Sequence, residues 1–209
     1  KLWRQVEQRV ESARQHAASR AQMIVPAADQ FLQEVQAAGV EMYLASGTDL
    51  VYVRDEVEVL GLDTFFGERI YGALDDYQNF SKAMIIEQIT RDAGVPGSSL
   101  LGAGDGYVEI EEIKKVGGLA IGVASDEETR TGINDWKRRR LIAAGADIII
   151  GDQGRGAARG GGGARRGGGG AAARGGGRAA AAAAARGCGG LGRHRCRGAA
   201  IFLFHGLGG

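Results

Sequence analysis

Apolar residues recur at spacings of three and four along the start of the chain. Leu2, Val6, Val10, Ala13 and Ala17 alternate with charged residues, which predicts an amphipathic helix over residues 2–20 that packs by one face. A second helix is predicted from Pro26, a residue suited to a first turn, with Phe31, Leu32 and Val35 inward and Gly39 as its left-handed stop. The pattern then changes to a short apolar run, Val40-Glu-Met-Tyr-Leu-Ala45, which reads as a buried strand.

The same unit repeats. Thr48 or Asp49 can cap a helix reaching Leu60, with Gly61 after it and an extended Arg69-Ile-Tyr71 beyond. Ser81 can cap a helix bearing Ala83, Ile85, Ile86 and Ile89, which ends near Gly94 and leads to a strand over 99–104. A helix from Glu109 to Val116, a strand from Leu119 to Ala124, a helix from Trp136 to Ala144 and a strand over 147–150 complete the series. Strands alternating with helices predict an α/β, Rossmann-like parallel sheet with helices on both faces. Reactive groups of such sheets gather at the C-terminal strand edge, so Ser46, Asp105 and Asp126, each just past a predicted strand, should share one rim.

Charge changes this picture sharply. Of 26 basic residues, ten are arginines within 153–209, a segment with no lysine and no acid; the 16 remaining basic residues against 25 acids leave 1–152 at −9. The same segment holds 21 of the 37 glycines and the run Ala179 to Ala185. So little apolar surface cannot offset chain entropy, and 153–209 is expected to be a low-complexity tail without packed structure. Its text of Gly, Ala and Arg is also what GC-rich DNA gives in a wrong frame, so a frameshift near codon 152 is expected.

Both cysteines, Cys188 and Cys196, lie in that tail, leaving the globular part without disulfides. No apolar stretch approaches the roughly 20 residues that span a bilayer, and the first residues have no signal-peptide core. A cytoplasmic setting with no membrane partner is therefore expected. Lys1 is not an initiator methionine, so the chain is expected to begin inside a longer protein.

The chemistry concentrates in Gly102-Ala-Gly-Asp-Gly-Tyr-Val-Glu-Ile-Glu-Glu112, where Asp105 and Glu109 ride on a glycine-softened strand-to-helix turn suited to a divalent cation. Upstream lie Leu44-Ala-Ser-Gly-Thr48, a strand ending in hydroxyls, and Phe80-Ser-Lys82, a lysine opening a helix. Hydroxyl, lysine and acidic pair, in that order, suit phosphate chemistry, whose transition state is stabilised by positioned donors, cations and metal. Oxygen ligands without His or Cys favour magnesium over zinc.

These segments resemble the second, third and fourth motifs of the haloacid dehalogenase (HAD) superfamily of phosphohydrolases, over roughly residues 20–152. The resemblance implies that Ser46, with Gly47 and Thr48 beside it, binds the transferring phosphoryl group. It further implies that Lys82 balances charge on the phosphoryl oxygens and on an aspartate nucleophile, and that Asp105 and Glu109 bind Mg²⁺, Glu109 standing where an aspartate is more usual. It implies a HAD-like core over 23–152, and makes the helix at 1–22 the trailing piece of an inserted cap domain. The family's first motif, Asp-x-Asp after an apolar strand, has no counterpart before Ser46, since Asp29 falls in a predicted helix. The nucleophile is expected upstream of Lys1, and the sheet is expected to have a gap at its centre, between the strands ending at Ser46 and Asp105. The chain so read is a fragment of a Mg²⁺-dependent phosphohydrolase acting on a small phosphate monoester, a sugar phosphate or phosphoglycolate-like acid, through an aspartyl-phosphate. The alternative is a catalytically inactive HAD-like binding or regulatory module, with the tail contacting RNA.

Plainer readings compete. Asp105 and Glu109 could simply favour a helix dipole, and Ser46 to Thr48 could cap the next helix, whereas Lys82 opposes the dipole where it stands. Gly102-Ala-Gly104 is no dinucleotide fingerprint, because Tyr107 stands where glycine is needed. Asp126 and Glu127 read as solvated loop acids, and Asp75 and Asp76 either contact substrate or only shape the loop before Lys82. Lys137 to Arg140 point in different directions on a helix and read as a solvated face, while Trp3 and Trp136 read as packing residues. Arg-Gly-Gly at 159, 166 and 174 is the text of RNA-binding segments, but the absence of interleaved aromatics argues against a nucleic-acid partner. Cys188, His194, Cys196 and His205 match no zinc-knuckle spacing.

Overall fold

The computed structural model describes residues 2–26, 28–73, 81–151 and 199–204. The chain opens with α1 (Leu2–Gln15) and α2 (Ala17–Met23), one helix expected and two found, with His16 extended between them, followed by α3 (Ala28–Ala37). The alternating series comes next: β1 (Glu41–Asp49), α4 (Leu50–Leu60), the single turn α5 (Asp63–Phe66), β2 (Ile70–Ala73) and α6 (Lys82–Ala93). It continues through β3 (Leu100–Gly104), α7 (Tyr107–Lys115), β4 (Leu119–Val123), α8 (Asp135–Ala143) and β5 (Ile148–Ile150), and closes with β6 (Ala199–Phe204).

Several boundaries follow from local chemistry read in the sequence. Ser81 caps α6, its hydroxyl accepting from the Met84 amide at 3.2 Å, and Gly94 ends that helix at φ 63°, where a side chain would be strained. Asp49 precedes α4 without a side-chain cap bond, so the expected cap is not made there.

The strands form one sheet in the order β2-β1-β6-β3-β4-β5, every pairing parallel. Period-two alternation splits its side chains between two cores. Met42, Leu44, Leu101, Ala103 and Ala200 face α3, α4 and α5 through Leu32, Val35, Val53, Val57 and Phe66. Tyr43, Ala45, Leu100, Ala120 and Ile201 face α6, α7 and α8 through Ile86, Ile89, Ile110, Ile113 and Leu141. The architecture is the expected α/β sheet covered on both faces.

The expected central gap is not there. β6 fills it, with Glu41 to Ser46 in register with Ala199 to Phe204 on one side and Leu100 to Gly104 with Ala199 to Leu203 on the other. The expectation fails because Ala-Ala-Ile-Phe-Leu-Phe, at 199–204 in glycine-rich text, is a short apolar run of the kind that forms a buried parallel strand. Ala199, Ala200 and Ile201 are buried, and the Phe202 ring meets Phe31 and Phe66 edge-on at 5.9 and 5.7 Å. Most of the expected tail, 152–198, and the tracts at 74–80 and 205–209 lie outside the described residues; so do the readings placed on Asp75, Asp76, Cys188, His194, Cys196, His205 and the Arg-Gly-Gly triplets.

At the other end of the chain, α1 lies on α4. Val10, Ala13 and Val59 form a small core there, and Arg14 pairs with Asp55. Glu56 is buried beside a cavity of about 210 Å³ lined by Glu7, Glu11, Arg14, Tyr52 and Asp55. Burial, assisted by the Asp55 charge, pushes its carboxyl up to about 7. Arg130, in the loop after β4, donates to the carbonyls of Ala21, Gln22 and Ile24, fastening the end of α2 to that loop. Among the described residues no helix is long and apolar enough to cross a membrane.

Candidate functional site

The C-terminal ends of β1, β6 and β3 lie side by side, because Ser46 is in register with Phe204 and Gly104 with Leu203. Two strand spacings, about 10 Å, therefore separate the backbones at Ser46 and Gly104. Ser46 is buried, and its hydroxyl accepts from the Thr48 amide at 3.1 Å, a local turn that folds Gly47 and Thr48 over the strand end. β1 runs on through this turn to Asp49 rather than stopping at Ala45.

Lys82 opens α6 and forms an ion pair with Glu109 of α7. Glu109 is 1% exposed and Lys82 21%. Such a pair holds its geometry, because removing either partner would strand a charge in a poorly solvated place. Burial pulls the Lys82 ammonium below its ordinary range, and the Asp105 carboxylate pulls it back up. Glu109 sits in the first turn of α7, three residues after the helix-capping Gly106, and its carboxylate folds back over that glycine; a Cβ at 106 would collide with both carboxylate oxygens. A side chain at 106 would therefore oblige the Glu109 carboxylate to move.

Asp105 is the more open carboxylate, 34% exposed, with the Lys137 ammonium at 3.7 Å. Lys137 also pairs with Glu127. The basic run on α8 is accordingly not one solvated face. Lys137 turns to the rim, Arg138 pairs with Asp135 at 3.8 Å, and Arg140 lies over Tyr107 at 4.2 Å and Trp136 at 5.1 Å. Trp136, expected to pack, is 66% exposed, because the inward face of α8 belongs to Leu141. Asp126 accepts from the amides of Glu128 and Thr129 at 3.0 and 2.9 Å, and these bonds, the Thr129 amide foremost, hold its carboxyl below the usual range. It organises its own loop.

The structure therefore joins Lys82 directly to Glu109, sets the Asp105 charge against Lys82, and places Ser46 two strands away on the same rim, with β6 between. The Lys137 contact was not read from the sequence, because a helix of low amphipathicity gives no sign of which basic residue turns inward. Among the described residues no group of three or more His, Cys, Asp or Glu could hold a metal ion. That does not conflict with magnesium, which keeps most of its waters and needs only one or two carboxylates. Asp105 offers one hard oxygen donor, while Glu109 is engaged by Lys82.

A solved structure from Agrobacterium tumefaciens str. C58, a conserved haloacid dehalogenase-like protein of unknown function, superposes with a TM-score of 0.51 over 61% of this chain, at 20% identity. The architecture is HAD-like. The match covers 55% of that protein, so the chain spans about half the length of the HAD-like structure it resembles. The sequence matches no protein-family model and no curated protein.

Proposed function

We propose that the rim is the phosphate-ester site of a Mg²⁺-dependent phosphohydrolase of the HAD type. The observation that carries this reading is the Lys82–Glu109 pair set beside Asp105 on a HAD-like sheet that bears Ser46 two strands away at the same edge. Ser46, with Gly47 and Thr48, would donate to the phosphoryl oxygens. Lys82, held by Glu109, would supply fixed positive charge where negative charge accumulates. Asp105 would hold Mg²⁺, which when bound neutralises phosphate oxygens and orients them. The substrate is a small phosphate monoester, a sugar phosphate or phosphoglycolate-like acid, and the cytoplasm is the setting. Turnover in this class needs an aspartate whose oxygen attacks phosphorus as the alcohol leaves, with water then cleaving the aspartyl-phosphate.

One observation favours a second reading. β6, Ala-Ala-Ile-Phe-Leu-Phe, occupies the centre of the sheet and brings no acid there. An acid-bearing strand from elsewhere would have to displace it. As long as β6 holds that place, the chain binds a phosphate ester without hydrolysing it.

Phosphate release from an aryl phosphate with Mg²⁺, measured beside calorimetric binding of ethyl phosphate, separates the readings when the chain is compared with its Asp105→Asn variant. Turnover that disappears in the variant supports the hydrolase. Mg²⁺-dependent binding without turnover, again lost with Asp105→Asn, supports the binding module. If neither turnover nor binding responds to the substitution, the rim is not a phosphate site.

A further inference from the structure

We infer that the cavity between α1 and α4 binds a small aliphatic amine in its ammonium form, held through the buried carboxylate of Glu56. The site shares no residue with the rim and does not depend on the phosphate reading.

Helical spacing builds its wall. Glu7, Val10, Glu11 and Arg14 recur at three and four along α1, and Tyr52, Asp55 and Glu56 do so along α4, so each set presents one face to the cavity. Four carboxyl groups and one guanidinium line it, four minus one leaving a surplus of up to three negative charges among the described residues. Arg14 is already shared, pairing with Asp55 and standing 3.7 Å from Glu11. Glu56 is the acid left over. It is 3% exposed, and its Oε2 is buried with no hydrogen-bond partner among the described residues. A carboxylate oxygen taken out of water without a donor is costly, and a cation docked there supplies the charge-assisted bond it lacks.

Shape and donor count choose the occupant. Among the described residues no three acids are grouped closely enough for a metal ion, so negative charge surrounds the space instead of converging on a point. An ammonium carries three donors on a flexible stem and suits acceptors arranged in that way. The cavity, about 210 Å³, has the volume of about seven waters, enough for a chain of about six non-hydrogen atoms. Val10 and Tyr52 give the methylene groups of such a chain an apolar surface. Burial, assisted by the Asp55 charge, raises the Glu56 carboxyl to about 7. The cation prefers the ionised carboxylate, so docking near neutral pH displaces the proton of Glu56 to solvent. Glu7, Glu11 and Arg14 of α1, with Tyr52 and Asp55 of α4, are the charged or titratable groups that face it.

Calorimetry of the full chain with 1,4-diaminobutane, beside the uncharged 1,4-butanediol, tests the site. The diamine should bind at pH 8 and the diol should not. Apparent affinity should fall about tenfold at pH 6, because Glu56 goes from about nine tenths ionised to about one tenth while the diamine stays charged, as a lysine ammonium does. Glu56→Gln, which keeps the shape and removes the charge, should weaken binding at pH 8 by about tenfold and abolish the pH dependence. Glu87→Gln, which removes an exposed acid of α6, should leave affinity unchanged. The Val10 methyl resonances should shift with the diamine and not with the diol. Binding that keeps its strength and pH dependence in Glu56→Gln, or that weakens equally in Glu87→Gln, is diffuse attraction to an acidic surface and overturns the site. Absence of diamine binding to the wild-type chain at pH 8 overturns it as well, and leaves the rim reading untouched.

Discussion

Lys82 and Glu109 show how strongly one contact can be committed at the scale of a single residue. Each is the other's partner in a place where neither is well hydrated, Glu109 almost wholly so. Truncating Lys82 to alanine leaves a buried carboxylate without its counter-charge, a change that costs about 3 to 5 kcal/mol in comparable pairs. Replacing both residues together, Lys82→Met with Glu109→Leu, should cost clearly less than Lys82→Ala alone. Denaturant unfolding of the two variants checks this, and equal losses would mean that the pair carries no coupling. The acidic pair and the lysine were legible in the sequence because a Gly-Asp-Gly turn and a lysine opening a capped helix are local signals. The union of Lys82 with Glu109, across two helices, was not, because it depends on how α6 and α7 dock.

Elements carry the next level, and the contact of α1 with α4 is where pH should act. Glu56 is raised to about 7 against an ordinary 4.5, so between those values the folded chain holds a proton that the unfolded chain releases. Stability contributed at this contact is therefore full below pH 4.5, falls as pH rises through 7, and is level above it. The charged groups facing Glu56 are Glu7, Glu11 and Arg14 of α1 and Asp55 of its own helix, so added negative charge there meets mainly negative neighbours. Glu56→Gln should remove that decline and make the protein more stable at pH 8 by roughly 2 kcal/mol. Thermal melts at pH 5 and pH 8 measure it, and an unchanged slope in the variant would overturn the assignment. Element type was legible almost throughout the described series, since capping Ser81 and the αL glycines mark ends by local chemistry. The break at His16 was not, because the three-and-four spacing of apolar residues runs straight through it.

For the molecule as a whole, the decisive strand is β6. Sequence periodicity reads the class of the sheet correctly and its centre wrongly, because strand order is a long-range property and the six apolar residues of 199–204 stand in glycine-rich text. If β6 is the keystone, Phe202→Ala, which removes a ring from between Phe31 and Phe66, should cost about 3 kcal/mol. It should also lower hydrogen-exchange protection in β1 and β3 together, although those strands are far apart in sequence. A loss confined to one of them, or none, would mean that the two halves of the sheet stand without it.

The sheet order has a consequence for synthesis. Translation delivers β2 and β1 on one side and β3, β4 and β5 on the other, all before the strand that joins them. At about 5 to 20 residues per second, the ribosome takes roughly 2 to 10 seconds to pass from Ile150 to Ala199. Through that interval the inner edges of β1 and β3 lack the neighbour that β6 later supplies, and each is an open template for another chain. The nascent protein thus has a window, set by the order of its strands along the chain, in which a chaperone or a second copy competes with β6 for the middle of the sheet.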